Sequence, residues 1–219
     1  MLKNYRFLLV LLLIVSCKQG KKYHDASDFS TEITQEPQQD AAINDIRNFQ
    51  KKLNSEYKNP ETSPLLSEDR RGFNGIDFFP INTEYRVTAA FVRTPDEKPF
   101  LMPTTTGEKS REVKYGEIHF ELKGSEFSLN VYQNQDLKFT AGYKKYLFLP
   151  FRDNTNGIET YGGGRYINLL IPEGDSIVVD FNKAYNPYCA YNPDYSCPIV
   201  PGENTLDTEV TVGVKAFKR

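Results

Sequence analysis

The most constraining feature of this chain is a two-residue period of apolar side chains that begins near residue 84. Between Glu84 and Thr94 the apolar residues Tyr85, Val87 and Phe91 alternate with their neighbours. Successive side chains of a β-strand point to opposite faces of a sheet, so this period predicts a strand. Further alternating or short apolar stretches follow at residues 117–123, 127–131, 145–151, 166–171, 177–181 and 208–214.

Turn-forming residues separate several of these stretches. Gly124-Ser125 and the segment from Pro172 to Asp175 lie where hairpin turns are expected. The pattern indicates roughly seven or eight short strands with helix only at the front of the chain. The predicted fold is therefore mainly β, as an antiparallel β-sandwich or a partly open β-barrel with an N-terminal amphipathic helix.

The N-terminal helix is predicted from an apolar period of three to four residues. Asp40 is suited to cap the first turn, and the pattern ends near Asn59-Pro60. A second short helical turn is expected between Ser63 and Arg71. The apolar positions of the first helix are Ile43, Ile46, Phe49, Leu53 and Tyr57.

The first sixteen residues have the pattern of a signal peptide. Lys3 and Arg6 precede an apolar run from Phe7 to Val15. A helix that spans a bilayer needs about 20 apolar residues, so this run is too short to do so. We therefore predict that residues 1–16 direct export and are removed.

The residues around the expected cleavage point resemble a bacterial lipobox. Ile14-Val15-Ser16 is followed by Cys17, whose thiol would carry the lipid. Two or more acyl chains would make the attachment to a membrane stable. Residues 17–39 are polar and predict a lipidated tether, which places the body outside the cytoplasm in the bacterial cell envelope. The alternative is an ordinary secretory signal that contains a cysteine.

Composition limits the remaining domain and its partners. The chain has 27 basic and 29 acidic residues, and loss of residues 1–16 leaves 25 basic residues and a net charge of −4. This charge balance does not indicate nucleic-acid binding, which would require a basic stripe on the surface. Residues 40–219 are enough for one sizeable core, so a single domain is predicted. The chain lacks Trp but has 14 Tyr and 15 Phe, a surplus that indicates a β-core or a ligand surface.

Several segments of the body are similar to a known family. They are Phe73–Pro80, Pro99–Gly107, Leu149–Tyr166 and the stretch from Asp180 to Asn204. In this order they resemble the bacterial domain of unknown function numbered 1684, over about residues 72–206. The resemblance implies a domain class and no particular reaction.

The polar loop between Arg152 and Arg165 is the first candidate binding surface. Both arginines offer planar donors for a carboxylate or phosphate, and Gly162-Gly163-Gly164 is expected to adopt positive φ and expose its amides. The alternative is a wide connection whose side chains fasten its own backbone. The predicted binding residues of this loop are Arg152, Asp153, Thr155, Asn156, Glu159, Tyr161 and Arg165.

Two carboxylates of this loop are the candidates for acid–base catalysis. Asp153 and Glu159 would serve a hydrolase, for example a glycosidase, if both faced one substrate. Either is otherwise an ion partner of a neighbouring arginine. A serine hydrolase is not indicated, because no Gly-x-Ser-x-Gly motif is present.

The second candidate surface is the segment from Phe181 to Pro198. Cys189 and Cys197 are the cysteines left after lipidation, and exported thiol pairs are usually oxidised, so a disulfide is predicted. Free thiols, or a zinc site that also uses His119, remain the alternatives. Tyr185, Asn186 and Tyr188 complete the predicted binding residues.

These observations favour a non-catalytic binding domain. Its predicted partners are the membrane, through the N-terminal lipid, and a small molecule, a glycan or a protein. No metal and no cofactor is predicted. An envelope hydrolase using Asp153 or Glu159 is the first alternative, and a structural envelope component without a ligand is the second.

Overall fold

The computed structural model describes residues 39–218. The predicted signal peptide, the predicted lipid-bearing Cys17 and the tether as far as residue 38 lie outside these residues. Within the described residues the helices are α1 (Gln39–Lys58) and α2 (Ser67–Arg71). The strands are β1 (Arg86–Arg93), β2 (Phe100–Pro103), β3 (Lys109–Leu122), β4 (Ser125–Asn134), β5 (Tyr146–Phe151), β6 (Arg165–Leu170) and β7 (Ser176–Asp180).

The strands form one curled antiparallel sheet that resembles half of a barrel. Their order across the sheet is β6-β5-β4-β3-β1-β7, and β2 pairs with the first half of β3. The prediction of a mainly antiparallel β fold is confirmed, but the described strands do not divide into the two facing sheets of a sandwich. Beyond β7 the chain returns to the opposite edge, where Tyr185 and Tyr166 exchange backbone hydrogen bonds of 3.0 and 2.9 Å.

Only one of the two predicted hairpin turns joins paired strands. Lys123 and Gly124, with φ of 52° and 78°, form the two-residue turn between β3 and β4. Positive φ at both central positions matches the right-handed twist of the strands. The other expected hairpin, from Pro172 to Asp175, connects β6 to β7, which lie at opposite ends of the strand order.

A β-bulge in β3 changes which side chains face each side of the sheet. Lys114 pairs with Tyr132 and Gly116 with Val131, so Tyr115 is an extra residue. One extra residue reverses the alternation along the strand. Gly116 permits the close packing here, since a Cβ atom on it would lie 2.7 Å from the carbonyl oxygen of Val92.

The two faces of the sheet are covered by different apolar clusters. One cluster contains Ile118 and Leu129, which pair across β3 and β4. The other contains Tyr132 and Phe148, which pair across β4 and β5, and it also receives Tyr57 of α1. Burial of apolar surface on both sides makes this sheet the centre of the molecule.

The C-terminal segment at residues 208–214 was predicted as a strand but packs as an irregular chain. The alternation is real, since Val210, Val212 and Val214 are all buried. Its polar groups bond mainly to side chains and loops: Arg165 donates to the carbonyl oxygens of Val210 and Val212. The segment therefore fills the core without extending the sheet. No helix among residues 39–218 has the length and apolar character needed to cross a membrane.

Candidate functional site

A pocket of about 130 Å³ opens on the face of the sheet that carries Tyr132 and Phe148. We call it the tyrosine pocket, because five of the residues that line it are tyrosines from β5, β6 and the segment after β7. The rings pack edge to face, with centroids 4.7 Å apart for Phe148 and Tyr166 and 5.1 Å apart for Tyr188 and Tyr195. The aromatic lining is Tyr146, Phe148, Tyr166, Tyr185, Tyr188 and Tyr195.

Several tyrosine hydroxyls of the pocket are bonded to protein acceptors. Tyr146 and Tyr185 both donate to Oδ1 of Asn168 at 2.6 Å, and Tyr166 donates to the carbonyl oxygen of Pro198. Burial raises the pKa of Tyr166 and of Tyr185, so both phenols stay neutral. A ligand would therefore meet the rings of these residues more than their hydroxyl groups.

One carboxylate, Glu112 of β3, lies in the wall of the tyrosine pocket. Its side chain is buried, with 2% of the residue exposed. Oε1 accepts hydrogen bonds from Oγ of Ser110 at 2.8 Å and from Nδ2 of Asn134 at 2.7 Å. Oε2 is also buried, yet no group within residues 39–218 donates a hydrogen bond to it.

Burial of Glu112 dominates its electrostatics. Loss of hydration raises the pKa of this carboxyl to about 7, although the hydrogen bonds from Ser110 and Asn134 act in the opposite direction. The nearby charge of Asp136 adds to the increase. Glu112 is therefore a carboxyl that gains or loses its proton near neutral pH.

The bulge at Tyr115 explains why an acidic residue of β3 faces this pocket. Residues that pair directly across neighbouring strands share a face, and Glu112 pairs with Asn134. Without the extra residue, position 112 would share the face of Ile118 and Phe120, which belong to the apolar cluster on the other side. The bulge thus brings Glu112 to the aromatic face.

The remaining lining of the pocket includes polar residues from the β2–β3 connection and from the segment after β7. Ser196 donates to Oγ1 of Thr104 at 2.8 Å, and Thr104 donates to the carbonyl oxygen of Glu108. Lys109, which is exposed, and Leu137, which is half-buried, also line the pocket. These hydroxyls are bonded to the protein, and among the lining residues Glu112 alone has a buried side-chain atom, Oε2, without a hydrogen-bond partner in residues 39–218.

Cys189 and Cys197 lie together, and Cys197 lines the pocket. Both are free thiols in the structure, so the predicted disulfide is not formed. The amide of Cys189 donates to Sγ of Cys197 at 3.2 Å. A hydrogen bond from the Cys197 thiol lowers the pKa of Cys189 to about 7, while the same contact and burial raise the pKa of Cys197.

The residues predicted from the loop 152–165 mostly bond to one another. Asp153 and Arg165 form an ion pair of 2.8 Å, and neither side chain is exposed. Asp153 Oδ1 also accepts from the amide and hydroxyl of Thr155, and Asn156 donates to the hydroxyl of Thr160. These contacts fasten the loop, as in the structural alternative considered above.

The glycine run of this loop differs from the expectation. Of Gly162, Gly163 and Gly164, only Gly164 has positive φ, at 92°. A Cβ atom on Gly164 would lie 2.6 Å from the carbonyl oxygen of Phe151. The glycine is therefore explained by the close approach of two chain segments.

The other loop residues have separate environments. Arg152 pairs through its backbone with the chain at Thr205, and Glu159 is exposed. The hydroxyl of Tyr161 lies 3.8 Å from Sγ of Cys189, and burial raises its pKa to about 12. Because Asp153 is enclosed and Glu159 faces solvent, the two carboxylates do not face a common cavity.

The three residues predicted from the second surface divide between packing and the pocket. Asn186 is fully buried and donates to the carbonyl oxygen of Lys215 at 2.8 Å. Tyr185 and Tyr188 both line the tyrosine pocket. This is the part of the predicted site that the structure brings to a cavity.

The alternative zinc site is not assembled. His119 is exposed on β3, where Nε2 lies 3.4 Å from a carboxylate oxygen of Glu117. No group of three or more His, Cys, Asp or Glu side chains is placed to hold a metal ion anywhere in residues 39–218.

The family model for a protein of unknown function, DUF1684, matches residues 71–215. The chain belongs to the DUF1684 family. This confirms the resemblance seen over about residues 72–206, and it assigns no activity. No curated protein matches the chain.

A solved structure supports the same relationship. The chain is similar to the solution NMR structure of the uncharacterized protein from gene locus rrnAC0354 of Haloarcula marismortui, with 30% sequence identity and a TM-score of 0.63. The match covers 80% of this chain and 95% of the other. The DUF1684 fold is thus shared with a protein that is itself uncharacterized.

Sequence reasoning missed most of the tyrosine pocket. Glu112 lies in the stretch from Lys109 to Gly116, which has four charged residues and showed no clear apolar period. The available signal was the repeated Tyr and Phe of β5 and β6, but their common face depends on strand register. The pocket is thus a tertiary feature of this DUF1684 domain.

Proposed function

We propose that this DUF1684 protein is a lipid-anchored envelope protein whose domain binds a small organic molecule in the tyrosine pocket. The observation that carries the proposal is an aromatic-walled pocket with one buried, half-bonded carboxylate, Glu112. Ligand pockets are typically apolar and aromatic, with a small number of polar groups that fix orientation. This arrangement matches that description.

The size of the pocket suits a ligand with about one ring. An engineered cavity of about 150 Å³ lined by apolar side chains holds benzene. The tyrosine pocket, at about 130 Å³, is similar and also reaches solvent through its mouth. A buried polar atom without a partner destabilises a folded protein, so a ligand that bonds to Oε2 of Glu112 would relieve this penalty.

The alternatives explain less of the structure. A hydrolase using Asp153 and Glu159 requires both carboxylates at one substrate, whereas Asp153 is sealed in its ion pair. A purely structural component does not require an open pocket with a buried carboxylate in its lining. The binding proposal accounts for both features.

A blocked pocket tests the proposal. Leu137 borders the pocket, whereas Phe139, two residues later, is 83% exposed and does not line it. We expect Leu137→Trp to weaken binding of benzyl alcohol and benzylamine at least about tenfold, while the matched variant Phe139→Trp keeps wild-type affinity. NMR titration of backbone amides measures both. Absence of saturable binding by either compound to the wild type, or unchanged binding in Leu137→Trp, would reject the proposal.

The lipid anchor rests on the lipobox-like residues Ile14 to Cys17. Expression of the full chain in a bacterium should give a membrane-bound protein whose first residue is a diacylated Cys17 by mass spectrometry. Cys17→Ser should release the protein from the membrane fraction. An unprocessed wild-type N-terminus would contradict the anchor.

We also propose that Cys189 and Cys197 form a disulfide in the envelope. The two thiols would lose two protons and two electrons to a disulfide oxidant of that compartment. The adjacent sulfur atoms and the lowered pKa of Cys189 support this step. Protein isolated without reductant should then resist iodoacetamide, and reduction should lower the free energy of unfolding by about 2.5 kcal/mol. Rapid labelling of both thiols without reduction would contradict it.

A further inference from the structure

We infer that the ligand of the tyrosine pocket is a protonated amine attached to an apolar body. This inference rests on the binding function proposed above and names the chemical class that the pocket selects. Two independent features of the wall carry it: the unbonded oxygen of Glu112 and the orientation of the tyrosine hydroxyls.

The hydrogen bonds of Glu112 indicate that its ligand donates a hydrogen bond to Oε2. Oε1 already accepts two hydrogen bonds from Ser110 and Asn134, which fixes the carboxylate in place. Oε2 is buried and receives none from residues 39–218. An ionised carboxylate can only accept hydrogen bonds, so the group that bonds to Oε2 must be a hydrogen-bond donor. A protonated amine supplies both the donor and the compensating charge.

The aromatic wall favours a cation over an anion. Hydroxyl groups of Tyr146, Tyr166 and Tyr185 donate to Asn168 and to the Pro198 carbonyl. They are therefore occupied as donors and would not readily hold a carboxylate or phosphate ligand. Aromatic faces attract cations through the negative potential of the ring, and their carbon atoms suit an apolar body.

The other charges around the pocket are consistent with this choice. Lys109 lines the pocket and opposes a cation, but it is exposed and its field is screened by solvent and salt. Asp136 lies near Glu112 and adds negative potential. Cys197, with a raised pKa, and the tyrosines contribute neutral groups to the wall near pH 7.

Three compounds of one shape separate the ligand classes. Benzylamine, benzyl alcohol and benzoate share a ring and differ in the charge of the attached group. Titration of the wild-type domain at pH 8, followed by amide NMR, should give about tenfold tighter binding of benzylamine than of benzyl alcohol, and the weakest binding of benzoate. The shifted amides should belong to strands β3, β5 and β6.

A matched pair of variants assigns the preference to Glu112. Glu112→Gln keeps the size of the side chain and removes the charge, so benzylamine and benzyl alcohol should bind to it with similar affinity. Glu121→Gln makes the same change at an exposed position of the same strand and should retain the preference.

The pH dependence gives a second readout. Because the pKa of Glu112 is about 7, benzylamine affinity should fall roughly fivefold from pH 8 to pH 6 as the carboxylate gains a proton. In reduced protein the Cys189 thiol has a pKa of about 7 as well, so the loss of this dependence in Glu112→Gln is the diagnostic result.

The outcomes separate this inference from the binding function. Equal binding of benzyl alcohol and benzylamine by the wild type, each abolished by Leu137→Trp, would overturn the amine preference and leave a binding pocket. Tightest binding of benzoate would also overturn it and assign recognition to Lys109. If none of the three compounds binds, both proposals fail.

Discussion

At the scale of single residues, Glu112 is a carboxyl group that the fold buries with half of its acceptor capacity in use. Its folded pKa of about 7 lies above the ordinary value of 4.5. Between these two pH values the folded state binds more protons than the unfolded state. The contribution of Glu112 to the free energy of unfolding is therefore largest below pH 4.5 and falls as the pH rises towards 7. Above pH 7 this contribution stays constant.

This sign gives a prediction for Glu112→Gln. The amide cannot ionise, so the variant should lose the decline between pH 4.5 and 7 and exceed the wild type at pH 8, by up to the order of 3 kcal/mol. Urea unfolding at pH 4.5, 6 and 8 measures the difference. Parallel pH profiles for wild type and variant would contradict the buried, proton-binding state, and Glu121→Gln serves as the exposed control.

Asp153 and Arg165 differ from Glu112, because each buried charge faces an opposite charge at 2.8 Å. Asp153→Ala would leave the buried guanidinium uncompensated, and we expect a loss of about 3–5 kcal/mol in the free energy of unfolding. Glu159→Ala, in the same loop but exposed, should change stability by less than about 0.5 kcal/mol. Thermal unfolding monitored by circular dichroism compares the two variants; similar small losses would contradict a stabilising role of the buried ion pair.

At the scale of elements, the glycine run before β6 provides a matched test. Gly164 has positive φ and no room for a Cβ atom, whereas a Cβ atom on Gly162 would meet its nearest neighbour at an ordinary 3.7 Å. We expect Gly164→Ala to destabilise the domain by about 2 kcal/mol or more and Gly162→Ala by less than about 1 kcal/mol. Urea unfolding measures both losses. Equal losses in the two variants would show that the glycines matter for the flexibility of the chain and not for the close packing at Gly164.

The regular part of the sheet was predictable because each of its strands is an alternating or short apolar stretch. Strands β1, β4, β5, β6 and β7 occur close to the predicted stretches, and the second half of β3 does as well. Helix α1 also corresponds to the apolar period that starts near Asp40. In each case the pattern within one segment contains the information needed.

The misses have physical causes that lie outside the segment concerned. The first half of β3 was missed because its inward residues, Ser110 and Glu112, are polar and face a pocket. The segment 208–214 has the alternation of a strand, but the carbonyl oxygens of Val210 and Val212 accept hydrogen bonds from the Arg165 side chain. A pattern of burial therefore predicted which residues are inside without predicting their hydrogen-bond partners.

At the scale of the whole molecule, the candidate site forms where the curled sheet leaves one face open beside the chain that follows β7. Residues from Thr104 to Pro198 contribute to it, so their meeting depends on strand order and on the return of Tyr185 to β6. Tyr185 and Tyr188 were predictable from the unusual loop in which they lie. Glu112 was not predictable, because the bulge at Tyr115 decides which face of the sheet that residue occupies.

The arrangement also places the buried ion pair and the tyrosine pocket on different faces of the sheet within the DUF1684 domain. The Asp153 and Arg165 pair ties the loop 152–165 to the C-terminal segment on one side of the molecule. The tyrosine pocket uses the other face, where α1 and the segment after β7 pack. Glu112→Gln should consequently alter binding while the contacts of Asp153 and Arg165 stay in place.

The central claim is that the fold holds Glu112 in an apolar pocket, ready for a cationic ligand. Carbon-13 NMR of the glutamate carboxyl groups, with Glu112→Gln used for assignment, measures it most directly. We predict that the Glu112 carboxyl titrates near pH 7 in the free domain and at lower pH when benzylamine is bound. Titration near the ordinary glutamate value of 4.5, unchanged by benzylamine, would contradict the account.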